Sequence, residues 1–171
     1  MNAPFIGRRE ELVRLTEVHR RAHQEGLPGA ALIVGEPGTG KSRLLAHFLD
    51  QTTMPTVHLV GFEPTQSVPL AAVAALLRLL ASSPGSGADL DRLVFGGGAQ
   101  ESRDPLRVFE GAYRALASSG PLLIAIDDLQ WIDDLSLGLV HYLLQAAMAS
   151  GNRLIIVAAS RPSAAATTFG A

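Results

Sequence analysis

Cysteine is absent from the 171 residues. Disulfides, thiolate metal sites and cysteine nucleophiles are thereby excluded, as fits a reducing compartment. Lysine is nearly absent: of the 14 lysines and arginines one is lysine, Lys41, leaving 13 arginines. Aromatic residues are scarce at 5%, with Trp131 the only tryptophan. No unbroken apolar run approaches the ~20 residues of a membrane-spanning helix. The opening "MNAPFIGRREE" lacks the basic-then-apolar layout of a secretion signal. No basic run exists, and the net charge is -2, so the electrostatic footprint of a nucleic-acid surface is missing. The five histidines show no metal-ligand spacing. These absences lead us to expect a cytoplasmic chain with no membrane contact and no direct nucleic-acid contact. What remains is a globular composition, 47% hydrophobic and 18% charged, long enough for one domain with a real core.

Along the chain, short apolar runs alternate with helical periodicity. Residues 8–25 read as a helix with Leu12, Leu15, Val18 and Ala22 on one face. The run "AALIV" at 30–34 has the continuous apolar character of a buried strand, and a helix begins near Lys41. A second strand is expected over 56–62. Pro69 fits the first turn of a further helix, with Leu70, Val73, Leu77 and Leu80 inward. Residues 82–103, with "SSPGSG" and "GGG" among them, predict a surface excursion holding about one helical turn. Asp104 and Pro105 form an N-cap and first-turn pair for a helix burying Leu106, Phe109, Tyr113 and Leu116. "PLLIAI" at 121–126 is a third strand. A helix over 136–149 turns Leu139, Val140, Leu143 and Leu144 inward and stops at Gly151. A fourth strand spans 153–160, and the tail "PSAAATTFGA" has no pattern. Strands alternating with amphipathic helices argue for a parallel sheet covered on both faces.

Between the first strand and its following helix lies "GEPGTGKS", residues 35–42, a full match to G-x-x-x-x-G-K-[ST]. Gly35, Gly38 and Gly40 permit backbone angles that let successive N–H groups face phosphate oxygens. The helix starting at Lys41 adds its positive dipole end. Lys41 would reach the terminal phosphates and Ser42 would offer a hydroxyl to Mg²⁺. The composition accepts arginine wherever either cation serves. A lone lysine here then marks a place where a compact ammonium fits and a planar guanidinium does not; the alternative is a chance lysine in an ordinary glycine turn.

"LLIAIDD" places Asp127 and Asp128 directly after a buried strand, at the sheet end that the glycine loop also faces. Asp127 can hold Mg²⁺ or its waters, and Asp128 can orient or deprotonate an attacking water. The alternative is a solvated acidic turn that caps the next helix. Asp133 and Asp134 read as caps and exposed charge, and Trp131 as a packing residue. Arg161 follows the fourth strand, where it either senses a terminal phosphate or is a surface arginine before Pro162.

Taken together, "FIGRREEL", "GEPGTGKSRLL", "LLIAIDDLQWID" and "IIVAASRP" resemble the nucleotide-binding domain of the STAND branch of AAA+ ATPases. That domain occurs in large LuxR-type (MalT-like) transcriptional regulators. The resemblance covers nearly the whole chain. Its glycine loop is generic to P-loop proteins, while "GRREE" together with "DDLQWID" is more specific. It implies ATP and Mg²⁺ as cofactors. Gly7, Arg8 and Glu11 match the G-R-x-x-E segment, which implies a nucleotide-side role for Gly7 and Arg8; first-turn helix charge is the alternative for Arg8 and Glu11. Nucleotide contact is implied for Gly35, Glu36, Pro37, Gly38, Thr39, Gly40, Lys41, Ser42 and Arg43, metal binding for Ser42 and Asp127, and catalytic roles for Lys41, Asp128 and Arg161.

The resemblance further implies a three-layer α/β P-loop NTPase fold with a mainly parallel sheet. Residues 1–28 would form the N-terminal helix and nucleotide-side segment, 29–161 the core, and 162–171 a disordered tail. The family core has five strands, and four candidates exist here, so four are expected, as for the N-terminal piece of a regulator. The expected partners are ATP and ADP, the remainder of a larger regulator chain, and a second copy at the unpaired edge of "AALIV". The leading functional expectation is an ATP-binding, slowly hydrolysing switch module. The alternatives are a free-standing AAA+ ATPase and a P-loop small-molecule kinase, the latter lacking a basic lid cluster.

Overall fold

A computed structural model describes residues 8–96 and 104–170. Four strands form one sheet: β1 (Gly29–Val34), β2 (Thr56–Val60), β3 (Leu122–Asp127) and β4 (Leu154–Ser160), in the order β1-β4-β3-β2. Every pairing is parallel. Helices α1 (Arg9–Glu25) and α2 (Lys41–Leu49) precede and follow β1. After β2 come α3 (Ala74–Ala81), α4 (Gly87–Phe95) and α5 (Pro105–Ser119); α6 (Asp134–Ser150) links β3 to β4, and α7 (Ala164–Gly170) follows β4. Among the described residues, no helix is long and apolar enough to cross a membrane.

The three layers follow from the two-residue period of the central strands. In β3, Leu122, Ile124 and Ile126 enter one core and Leu123 and Ala125 the other. In β4, Leu154, Ile156 and Ala158 oppose Ile155, Val157 and Ala159 in the same way. One core is completed by α3 to α7, and the other by Leu15 and Ala22 of α1 and by Leu44, Leu45 and Phe48 of α2. Strands covered on both faces read as unbroken apolar runs, which is why these two were visible in sequence. The α1 face is as expected, with Leu12 and Val18 packed beside the buried Leu15 and Ala22.

Four expectations are corrected. Pro69 does not open a helix: α3 starts at Ala74, and Leu70 sits in the left-handed region (φ 62°). Residues 87–95 form a nine-residue helix, not a single turn, and its Leu90 is fully buried. On α5 the buried stripe is Val108, Gly111, Ala112, Ala115 and Leu116, while Leu106 is exposed. Small residues line that stripe because α4 lies close against it; a Cβ on Gly111 would sit 3.2 Å from Leu93 Cδ1 and 3.4 Å from Leu90 Cδ1. The tail expected to be disordered is helical over Ala164–Gly170. There, Ser163 Oγ accepts the Ala166 N–H at 3.1 Å, and Phe169 packs edge-on to His141 at 5.7 Å.

Candidate nucleotide site

Because all four strands run the same way, Val34, Val60, Asp127 and Ser160 end at one rim of the sheet. The glycine loop leaves β1 at that rim, where Gly35 N–H donates to the Ser160 carbonyl at 3.2 Å. Strand β4 lies between β1 and β3, so the loop and Asp127 stand two strand spacings apart, about 10 Å. A nucleotide's phosphate chain and a cation can bridge such a span.

The loop is organised around one carbonyl. Glu36 O accepts Thr39 N–H at 3.3 Å, Thr39 Oγ1 at 2.8 Å and Lys41 Nζ at 3.0 Å. Lys41 is only 8% exposed. Its ammonium carries three donors, and the Glu36 carbonyl takes one. Gly38 and Gly40 adopt positive φ of 77° and 80°, a region that side chains disfavour. A Cβ on Gly35 would press on Thr39 Oγ1 at 2.9 Å. Helix α2 has Gly40 as its N-cap, with no side-chain hydrogen bond closing its first turn. Its leading N–H groups are thus not taken by a cap, unlike those of α5 and α6, which Asp104 and Asp133 cap. Glu36, Pro37 and Thr39 are exposed on the loop, and Ser42 and Arg43 on the first turn of α2.

At the end of β3, Asp127 Oδ1 accepts the Asp128 N–H at 2.9 Å, leaving further acceptor capacity for a cation or its waters. Asp128 is held in the left-handed region (φ 50°, ψ 47°). The glycine at the end of β2 makes that turn possible. Gly61 N–H donates to Asp127 O at 2.9 Å, and a Cβ on Gly61 would fall 2.2 Å from Asp128 O and 3.0 Å from Trp131 C. Such overlap must displace the acidic turn. Gly61→Ala is expected to destabilise the protein by about 1–3 kcal/mol and to shift Asp128. A urea midpoint unchanged from the parent would show that the turn yields freely.

Two residues in this region went unread in the sequence. One is Gly61. The other is Gln130, whose Nε2 donates to Asp128 Oδ1 at 2.8 Å and whose Oε1 accepts the Arg161 N–H at 3.0 Å. A glycine ending a strand-like run carried a weak signal of close backbone approach; Gln130 carried none.

Arg161 is exposed at the same rim, after β4. Arg8 precedes α1 with φ 55°, its carbonyl accepting Leu12 N–H at 3.1 Å, and is not joined to the loop by any described hydrogen bond. Gly7 lies outside the described residues. Asp134 is exposed, but its neighbour Asp133 is 3% exposed. Asp133 caps α6 and accepts from four donors: Leu70 N–H (2.8 Å), Ala72 N–H (3.2 Å), Ser136 N–H (2.9 Å) and Ser136 Oγ (2.6 Å). Among the described residues, no group of three or more acidic or histidine side chains could hold a metal by itself. A cation here would need phosphate oxygens to complete its shell, as Mg²⁺ in nucleotide sites does. The donor chemistry of Ser42 and Asp127 fits that arrangement.

A parallel three-layer α/β fold with this loop between its first strand and the following helix has the architecture of a P-loop NTPase. More narrowly, the chain belongs to the AAA ATPase domain family, whose sequence profile matches residues 4–157. Similar solved structures include one from work on the structural basis for katanin self-assembly, with 16% identity and a TM-score of 0.43, covering 92% of this chain and 44% of that one. The FIGL-1 AAA domain in complex with ADP shows 14% identity and a TM-score of 0.43, over 91% of this chain and 46% of that one. A DNA replication initiation factor shows 18% identity and a TM-score of 0.42, over 92% and 40% respectively. This chain thus spans less than half the length of each. No curated protein matches it significantly.

Proposed function

We propose that this chain binds ATP at the 35–42 loop and hydrolyses it with the acidic pair at the end of β3. The observation that carries the reading is the buried Lys41 folded onto Glu36 O, on a loop that opens at the same rim as Asp127 and Asp128. In this reading the loop amides and the α2 N-terminus hold the phosphate oxygens, and Lys41 directs its remaining N–H donors at the terminal phosphates. Ser42 and Asp127 would hold Mg²⁺, which would neutralise charge on the phosphate chain when bound. Asp128 orients the attacking water and takes its proton, and Arg161 faces the terminal phosphate from β4. Arg8 would serve the adenine and ribose side, the role that the sequence segment it shares with Gly7 implies.

Family membership in AAA ATPase domains supports a turnover enzyme of the AAA+ kind more directly than a regulator's switch. The switch module of a LuxR-type regulator remains the second reading, favoured by "DDLQWID" and "GRREE". Turnover separates the two: about one ATP per second or faster marks an enzyme, and far slower hydrolysis with tight ADP retention marks a switch. Calorimetry with ATP, ADP and GTP tests the ligand. Asp128→Asn is expected to leave ATP affinity within threefold while slowing hydrolysis by about a hundredfold. Unchanged turnover in that variant removes Asp128 from the role of base.

A further inference from the structure

We infer that Gln130 is a positioning residue that ties the acidic turn after β3 to the end of β4, so that Arg161 responds to what is bound at Asp128. The inference rests on the ATP-binding reading above.

The geometry assigns each end of the amide. A backbone N–H can only donate, so the atom 3.0 Å from Arg161 N is the amide oxygen. The nitrogen then faces Asp128 Oδ1 at 2.8 Å, where a carboxylate accepts. Reversing the amide would break both contacts, so one orientation satisfies both neighbours. The Ser160 hydroxyl also lies 3.2 Å from Gln130 Oε1, but it has one proton and a closer acceptor, Arg161 O at 2.7 Å. The Arg161 N–H is therefore the principal link to β4. A third tie comes from β2's side, where Gln66 Nε2 donates to the Gln130 carbonyl at 3.2 Å. Gln130 thus touches the segments that follow three of the four strands.

Asp128 is the residue this tie can steer. It occupies a left-handed conformation that costs a non-glycine residue energy, and such a residue persists only when its surroundings hold it. Gly61 leaves its carbonyl the room that a Cβ would fill, and Gln130 grips its carboxylate. A ligand that draws the Asp128 carboxylate toward itself pulls on the Gln130 amide. The same planar group carries the pull to the Arg161 N–H. No other described side chain bonds to both residues.

The test compares the full 171-residue chain with Gln130→Met, which removes both hydrogen bonds at similar length, and Gln130→Glu, which keeps the acceptor for Arg161 but loses the donor to Asp128. Without nucleotide, the Arg161 amide is expected to exchange about tenfold faster in Gln130→Met and at nearly the parental rate in Gln130→Glu. Adding Mg²⁺ with a non-hydrolysable ATP analogue is expected to shift the Arg161 amide resonance in the parent. Both variants should show a clearly smaller shift, the part due to Arg161's own contact with phosphate, while binding the analogue within threefold of parental affinity. Equal Arg161 exchange in the parent and Gln130→Met overturns the tie. A nucleotide-induced shift of full parental size in both variants overturns the coupling, and so does an affinity loss as large as that of a glycine-loop variant, which would make Gln130 part of the binding site or of the fold. A parent that binds no nucleotide refutes the functional reading instead; the exchange comparison, made without nucleotide, still decides the tie.

Discussion

Lys41→Ala is expected to weaken ATP binding by about a hundredfold or more and to leave helix content unchanged. Lys41 is the buried cation of the loop, and its ammonium is held by the Glu36 carbonyl with two N–H donors to spare. A charge-assisted contact to a phosphate in a partly desolvated loop is among the stronger single interactions available to a protein. Alanine removes it and offers no replacement. The helix itself should tolerate the change. Alanine is the best helix former, and the face that docks α2, made of Leu44, Leu45 and Phe48, is untouched. Calorimetry reads the affinity and circular dichroism the helix. Equal binding by variant and parent would reject the loop as the nucleotide site.

The second large effect is expected on stability. Asp133→Ala should cost about 3 kcal/mol or more, from three sources. Loss of a helix N-cap costs about 1 kcal/mol. The part-buried amides of Leu70 and Ala72 lose their acceptor, each at a cost of about 1 kcal/mol. The Leu70 backbone, at φ 62°, also loses the partner that holds it there. Against a total stability of roughly 5–15 kcal/mol, that loss is a large fraction. Urea unfolding of the two proteins measures it, and a difference below about 1 kcal/mol would show that water replaces the carboxylate at little cost. Asp133→Asn keeps one acceptor oxygen and should fall between the two.

Asp133 also shows where the sequence stops being legible. Its role as a cap is local, since the side chain meets Ser136 three residues on, and the sequence conveys that much. Its hold on Leu70 and Ala72 joins residues more than sixty positions apart, and no local pattern encodes such a pairing. Gln130 and Gly61 were missed for the same reason: the partners that give them meaning sit on other strand ends. The four strands and the glycine loop were legible because each is a contiguous signal, an apolar run or a motif with fixed spacing. Helix α4 was hidden by turn-forming residues around it. Its Gly87 is there because a Cβ would strike the carbonyls of Ala81 and Leu80, at 2.6 and 2.9 Å. The α5 stripe was misread because large apolar residues were assumed to face inward, whereas close approach of α4 selects small ones. The tail was read as patternless because alanine and threonine give little contrast, yet Ser163 and Phe169 supply a cap and an anchor.

Among the described residues, β1 pairs with β4 alone. It is also less covered than β3 or β4, with one of its six residues buried. The glycine loop therefore hangs from a border strand, where local opening is least costly. A ligand gripping that loop would repress the fraying of β1 before it touched the interior, and the gain in ordering would be subtracted from its affinity. The hinterland of β3 and β4 would stay rigid throughout, leaving the margin of the sheet to register whether the loop is filled.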